Sequence, residues 1–358
     1  MKKLMLSTAV AAFAFVVSPA MAQEDSGVKL NLGGHFKGYV NYSDEDNVHS
    51  VDILRDTEVH FGGETTLDNG LTVGAQIEAL ADGGDAFAID ESYIYMAGSW
   101  GRVNFGDEDG AAYLLQVAAP SADDNIDGIR QFIGPSAFAA DYANDLTGDA
   151  DKVTYLSPVF NGFQAGASYT PTVSGVAAAL GVATPSRAFG NSADNLGDVY
   201  SDGVELAVRY EGVFNTVGVI LGAGYTMADL DNEAASVFFT DDFSAWNVGV
   251  DLDIGAFGIG AIYTENNNGQ DVADKNETWV VGGDYTTGPF KLGVSYLNND
   301  VDAGVTNYTE LDRYTAGVVY SYGPGMTFRG SVGYNDVDGS TTGDDDATTV
   351  TVGTQINF

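Results

Sequence analysis

Carboxylate side chains gather in one stretch of the sequence, residues 107–149, which lies between two segments of alternating polarity. The residues of this stretch whose carboxylates could attract cations are Asp107, Glu108, Asp109, Asp123, Asp124 and Asp127. Acidic residues at the narrowest point of a pore attract cations, as the acid rings of cation channels do. For any single one of these residues the alternative is a solvated acidic loop, because the whole chain is acidic. We interpret 107–149 as a candidate selectivity loop.

Covalent catalysis is not predicted by any pattern of residues. The chain has no cysteine, and none of its three histidines, His35, His49 and His60, lies in a nucleophile motif such as Gly-x-Ser-x-Gly. We therefore expect no enzymatic activity, and we expect the histidines to face water inside the protein or in a loop. No cofactor is predicted, apart from a structural Ca²⁺ that carboxylate oxygens would bind at Asp344, Asp345 and Asp346.

The charge of the chain limits its partners. The formal net charge is −37, from 51 acidic and 14 basic residues. Phosphate groups would be repelled by this charge, so nucleic acid is excluded as a partner. The same excess attracts cations and is compatible with a water-filled interior.

The N-terminus has the pattern of a secretory signal peptide. Lys2 and Lys3 precede an apolar run at 4–17, and Ala20-Met21-Ala22 forms a small-residue cleavage site. The run is too short to span a bilayer, which requires about 20 apolar residues. We predict a signal peptide at 1–22 and a single exported domain at 23–358, without a transmembrane helix.

The remaining sequence alternates between apolar and polar residues with a period of two. In segment 28–42, one parity carries Leu30 and Phe36 and the other carries Lys29 and Lys37. The alternation recurs along the chain up to the C-terminal Phe358. This pattern predicts antiparallel strands with one apolar face and one face in contact with water.

The connections between these segments alternate in length. Tight turns such as Asp68-Asn69-Gly70 are followed by long acidic stretches at 171–201, 265–277, 298–310 and 336–346. Short turns at one end and long loops at the other are typical of outer-membrane barrels. We predict an all-β fold, a transmembrane antiparallel β-barrel of about sixteen strands with about 10 residues in each. Its first and last strands must pair, because an open sheet edge cannot persist in hydrocarbon.

Three segments resemble the general diffusion porins of Gram-negative bacteria, and most closely the trimeric alphaproteobacterial type. Segment 57–71, TEVHFGGETTLDNGL, resembles the family's second strand, acidic turn and third strand. Segment 92–106, SYIYMAGSWGRVNFG, resembles its fourth and fifth strands. Segment 153–163, VTYLSPVFNGF, resembles the Tyr-x-Ser-Pro-x-Phe-x-Gly hairpin that follows the constriction loop.

This resemblance implies a sixteen-stranded homotrimeric barrel in the outer membrane, with the loop 107–149 folded into the pore. The implied function is passive passage of small hydrophilic solutes and ions. The implied partners are outer-membrane lipid, lipopolysaccharide and the barrel assembly machinery, for which Phe358 is similar to the family's C-terminal signal.

The resemblance also implies a basic cluster on the inner wall, opposite the acidic loop. Lys29 and Lys37 lie on the polar parity of the first segment, and Arg102 lies on that of the fifth. Arg55 falls on the apolar parity and reaches the interior only beyond the membrane or after a bulge. A transverse field would result if all four face the loop. The alternative is ordinary polarity of the lumen or charge at the periplasmic end.

The sequence departs from the family in two places. The loop lacks the Pro-Glu-Phe-Gly-Gly motif of enterobacterial porins, and the second strand carries Glu58 and His60 where many relatives have Arg and then Gly or a second basic residue. We predict a cation-preferring general porin. The alternatives are a substrate-specific porin of the eighteen-stranded type and a secreted β-rich surface or adhesive protein.

Overall fold

The computed structural model describes residues 27–45, 49–81, 88–120, 142–173, 200–231, 239–270, 275–302, 308–339 and 345–358. The predicted signal peptide at 1–22 lies outside them. No helix in the described residues is long and apolar enough to cross a membrane.

The described residues form sixteen strands and one short helix: β1 Lys29–Ser43, β2 Val51–Thr66, β3 Thr72–Leu80, β4 Ala88–Gly98, β5 Gly101–Asp107, α1 Ala111–Leu114, β6 Asp151–Leu156, β7 Phe163–Val173, β8 Tyr200–Phe214, β9 Val217–Leu230, β10 Phe243–Ile254, β11 Phe257–Asn266, β12 Asn276–Thr287, β13 Phe290–Asp302, β14 Tyr308–Gly323, β15 Met326–Gly339 and β16 Asp345–Asn357.

The sheet closes on itself. Each strand pairs with its neighbours in sequence, and β1 pairs antiparallel with β16 from His35 opposite Asn357 to Ser43 opposite Thr349. Phe358 continues this seam: its backbone N–H donates to the Gly34 carbonyl at 3.1 Å and its own carbonyl accepts from Gly34 N–H at 3.1 Å. The closed barrel of sixteen strands is confirmed, and the eighteen-stranded alternative is wrong.

The two faces of the barrel have the reverse of the polarity found in soluble proteins. Large apolar side chains are exposed on the outside, with Ile53 77% and Leu30 74% accessible. Polar side chains are buried inside, with Glu205 1% and Asn104 2% accessible, beside an apolar cluster that includes Ile262, Leu311 and Val337. Strands that alternate in this way suit a medium of lipid outside and a polar lumen within. The alternation predicted from the sequence is confirmed by these faces.

The connections at the two ends differ in length, as predicted. Two-residue turns such as Pro324–Gly325 close one end, whereas the long connections, including the one from β5 to β6, lie at the other. Most strands are longer than the predicted 10 residues, with 16 residues each in β2 and β14, whereas β3, β5 and β6 have 9, 7 and 6.

The extra strand length lies in stretches that the sequence predicted to be loops, at 298–302 and 336–339. At about 3.4 Å per residue these strands pass well beyond an apolar band about 25 Å tall. Both faces are polar beyond that band, as at Asn299 and Asp300. The hydrophobic alternation therefore disappears although the hydrogen-bonded pairing continues.

The orientation of β1 can be tested with cysteines, since the natural chain contains none. We expect Lys37→Cys to react with a membrane-impermeant thiol reagent in lipid vesicles, because Lys37 faces the lumen. Phe36→Cys, one position away on the outer face, should stay unlabelled. Labelling is measured by the shift in mass. Reaction of Phe36→Cys without reaction of Lys37→Cys would contradict the register.

Candidate functional site: the pore lumen

Two parts of the connection from β5 to β6 that the structure describes, 108–120 and 142–150, fold into the barrel. We call them the two arms of the inward loop. The short helix α1 opens the loop and lies against the inner faces of β6, β7, β8 and β9. The predicted insertion of one long loop into the pore is confirmed.

A single buried carboxylate, that of Glu205 on β8, holds both arms of the inward loop. Its Oε2 accepts the backbone N–H of Ala112 at 2.8 Å, and its Oε1 accepts the hydroxyl of Thr147 at 2.5 Å. Next to it, the Ser168 hydroxyl accepts the N–H of Ala111 at 2.7 Å. Hydrogen bonds to a carboxylate are stronger than neutral ones, so this cluster fixes the loop to the wall.

A second set of hydrogen bonds joins the two arms at Gln116. Its side-chain Oε1 accepts the backbone N–H of Asn144 at 3.0 Å and also accepts Nδ2 of Asn247 on β10. Its backbone carbonyl accepts Nη1 of Arg209 on β8 at 2.9 Å. The loop is thus tied to β8 and β10 by polar side chains of the inner wall.

Two glycines of the wall make room for the loop. A Cβ at Gly249 would lie 2.6 Å from Cβ of Val117, and one at Gly222 would lie 2.8 Å from its Cγ2. Real Cβ atoms do not approach so closely, and a larger residue would displace the loop into the lumen. The glycines of β9 and β10 therefore allow the inward loop to pack flat against the wall.

The acids predicted to line the constriction are placed differently from one another. Glu108 is buried inside the barrel, whereas Asp123, Asp124 and Asp127 lie outside the described residues. Asp107 pairs with Asp151 on the parity that Phe105 shares, but its Oδ1 is buried and the preceding Gly106 has a φ of +133°. Its part in a constriction stays a prediction.

Asp109 belongs to a carboxylate cluster. Oxygens of Glu91, Asp109 and Asp149 lie within 4.8 Å of one another. This group brings together the first arm of the inward loop at Asp109, the second arm at Asp149, and β4 at Glu91. Its part in a constriction stays a prediction.

Glu108 lies among basic and neutral polar groups. It accepts Nδ2 of Asn104 with its carboxylate and Nζ of Lys152 with its backbone carbonyl. Burial raises the pKa of Glu108 to about 7, although the nearby Arg102 acts to lower it. Its charge therefore changes near neutral pH.

The strand register divides the four predicted basic residues of the pore wall between the inner and the outer face. Lys29, Lys37 and Arg102 occupy inward positions, on the same parity as buried Asn104 in β5 and buried Asn41 in β1. Arg55 was wrongly included: it pairs with Gly38 on the outer face, and no bulge interrupts the pairing of β1 with β2. The part of the other three in a constriction stays a prediction.

The inner wall of β1 and β2 is not a bare basic cluster. Lys37 Nζ lies 2.5 Å from Asp56 Oδ2, so the carboxylate of Asp56 neutralises the positive charge of Lys37. Arg102 donates from Nε to Asn104 at 2.5 Å and lies over the ring of Tyr95, 4.1 Å from its centroid. Asp56, Asn104 and Tyr95 lie at inward-facing positions of their strands. Their position in the alternation is the sequence signal that would have identified them.

Acids also outnumber bases over the paired inward positions of the described strands. The acids are Asp52, Asp56, Glu58, Glu64, Glu78, Glu205, Glu211, Asp251, Asp253 and Asp284. The bases are Lys29, Lys37, Arg102, Lys152, Arg209, Lys291, Arg313 and Arg329. The excess is small compared with the net charge of −37, because many other acids lie on the outer face or in connections.

The remaining predicted residues lie at the ends of the barrel. The side chains of Asp344 and Asp345 are outside the described part, and Asp346 faces outward opposite Asp336. Calcium binding there stays a prediction. Phe358 is 60% accessible and ends the outward apolar stripe of β16.

We expect Glu205→Ala to release the inward loop, because it leaves two buried donors without an acceptor at a cost of about 1–3 kcal/mol each. Arg130 is the single trypsin site between residues 108 and 150. Limited trypsinolysis of the folded protein should therefore cleave the variant at Arg130 faster than the wild type.

Two further variants control this experiment. Glu205→Gln keeps an oxygen for the N–H of Ala112 and should be cleaved at an intermediate rate. Glu64→Ala removes an inward carboxylate that accepts the Tyr95 hydroxyl at 2.8 Å, away from the loop, and should behave as wild type. Equal cleavage of Glu205→Ala and Glu64→Ala would contradict the anchoring role.

The fold is similar to that of solved porins. OmpT of Vibrio cholerae with loop L8 deleted has a TM-score of 0.66 at 16% identity, over 93% of this chain and all of that one. The anion-selective porin of Comamonas acidovorans has a TM-score of 0.62 at 16% identity, over 92% of this chain and all of that one. The trimer form of OmpT has a TM-score of 0.62 at 13% identity, over 93% of this chain and all of that one.

Sequence comparison gives the family. A search among curated proteins found no match. The sequence profile of the Gram-negative porins matches residues 7–340, which is most of the chain. The protein belongs to the Gram-negative porin family.

Proposed function

We propose that this protein is a general diffusion pore for small hydrophilic solutes and ions, that it prefers cations, and that it has no enzymatic activity. As a Gram-negative porin it is a barrel of the outer membrane. The observation that carries the proposal is the closed barrel with a polar inner wall, narrowed by a loop that Glu205 holds against one side.

The preference for cations is proposed from the charges inside the barrel. Acids exceed bases on the paired inward strand positions, and the inward loop adds Glu108 and Asp109. A lumen with negative potential concentrates cations and repels anions. The fold does not set this preference, since the similar porin of Comamonas acidovorans is anion-selective.

We also propose a homotrimer in contact with lipid and lipopolysaccharide. A structure of similar fold, OmpT of Vibrio cholerae, is described as a trimer form. The outer face of this barrel carries exposed apolar side chains on every side, which suit contact with lipid or with neighbouring subunits.

In planar bilayers, we expect the reversal potential across a KCl gradient to have the sign of a cation-preferring pore. The preference should weaken as the pH falls through about 7, because Glu108, whose pKa burial raises to about 7, then becomes protonated and loses its negative charge. Glu108→Gln should show the weaker preference for cations both above and below this pH.

Glu64→Gln is the matched control for the charge removed, since Glu64 also faces inward but lies on β2. It should keep the pH response of the wild type. An anion-preferring wild type would overturn the proposal. Conductance that saturates with one sugar or organic acid would instead indicate a substrate-specific pore.

Phe358→Ala tests the proposed partnership with the barrel assembly machinery. We expect the variant to be depleted from the outer membrane of cells and yet to refold in detergent and conduct normally. Loss of packing alone would lower stability by a few kcal/mol and would also impair refolding. Normal surface levels in cells would contradict the signal role.

A further inference from the structure

Two histidines and a glutamate meet on the inner wall of β1 and β2. His35 Nδ1 lies 3.7 Å from Glu58 Oε2, and His60 Nε2 lies 3.0 Å from the same oxygen. One ligand atom from each of the three residues can be chosen so that all lie within 4.8 Å of one another. We propose that these three residues form a binding site for a divalent transition-metal ion of the zinc class inside the pore.

The two separations that involve Glu58 fit the coordination of zinc. Zinc binds imidazole nitrogen and carboxylate oxygen at about 2.0–2.1 Å with tetrahedral geometry, which places neighbouring ligand atoms about 3.3 Å apart. The observed 3.0 and 3.7 Å lie on either side of this value. Three protein ligands leave a fourth position for water, which the lumen supplies.

The other nitrogen of His35 is held by a carboxylate. His35 Nε2 lies 3.0 Å from Asp56 Oδ1, which leaves Nδ1 directed at Glu58. Asp56 is itself held by Lys37, whose Nζ is 2.5 Å from Oδ2. A carboxylate that fixes the orientation and tautomer of a histidine is a usual feature of metal sites.

The charges around the site favour a divalent cation. Lys37 and Asp56 neutralise each other, which leaves Glu58, Glu78 and the more distant Asp90. The carboxylate of Glu78 on β3 lies 3.3 Å from His60 Nε2, the nitrogen that Glu58 also approaches. Two carboxylates converging on one nitrogen favour a cation at that position. His60 is 6% accessible, so water screens this attraction weakly.

Histidine ligands distinguish this site from the acidic clusters of the chain. Imidazole suits zinc, copper and nickel, whereas calcium and magnesium prefer oxygen ligands. A zinc ion bound here would neutralise negative charge in the pore. We therefore expect zinc to lower the conductance of cations through the wild-type protein.

Binding is tested by isothermal titration of the folded full-length protein in detergent with ZnCl₂, in the presence of excess Ca²⁺ to occupy carboxylate clusters. His60→Ala and Glu58→Gln should weaken zinc binding by at least about 100-fold, and Asp56→Asn, which removes the support of His35, by about 10–100-fold. His49→Ala is the matched control and should bind as wild type, because His49 is outside the cluster and exposed. Heat-modifiable gel mobility identifies variants that have folded.

The ligands and the effect on the pore have separate measurements. X-ray absorption at the zinc edge should show two imidazole ligands, and all-oxygen coordination would overturn the proposal. Equal zinc affinity in wild type and His60→Ala would also overturn it. Zinc should block the wild type in bilayers but not His60→Ala, and Asp52→Asn, which removes another inward charge of β2, should remain sensitive. Titration in detergent requires no ion preference, so it can fail or succeed independently of the proposed function.

Discussion

The seam between β1 and β16 is where the chain meets itself, and the rest of the molecule depends on it. Lipid hydrocarbon has no group that can form a hydrogen bond with a free backbone N–H or C=O. A sheet in the membrane is therefore stable only when its first and last strands pair with each other. The backbone of Phe358, bonded to Gly34, extends that pairing to the final residue. Once the sheet is closed, alternation gives every strand an inner and an outer face. The inward loop then has a continuous wall on which to pack.

The alternation of the sequence was sufficient for much of this fold. It placed Lys37 inside and Phe36 outside, because a period of two assigns faces without knowledge of any partner strand. It missed strand residues such as Asn299 and Asp300, where both faces are polar and the hydrophobic signal is lost. For Arg55 the alternation was correct, and the place on the inner wall that the family resemblance implied for this residue was wrong.

The contacts of the lumen were beyond prediction from the sequence for a different reason. Glu205 serves the inward loop through Ala112 and Thr147, which are distant from it in the chain and adjacent only in the closed barrel. His35 and His60 meet because β1 and β2 pair in one particular register. Each such site depends on cross-strand neighbours, and no local motif records them.

The alternating faces also limit which mutations the gene for this protein can accept. Within β14, Arg313 points into the lumen and Tyr314 points outward. Loss of one codon inside this strand would shift the following residues by one position and exchange their faces. A basic side chain turned toward lipid costs about 2–4 kcal/mol at the bilayer midplane, and several residues would be reversed together. Changes of length in the coding sequence are therefore tolerated in the long connections between strands, and within a strand they are tolerated only where a bulge absorbs the extra residue.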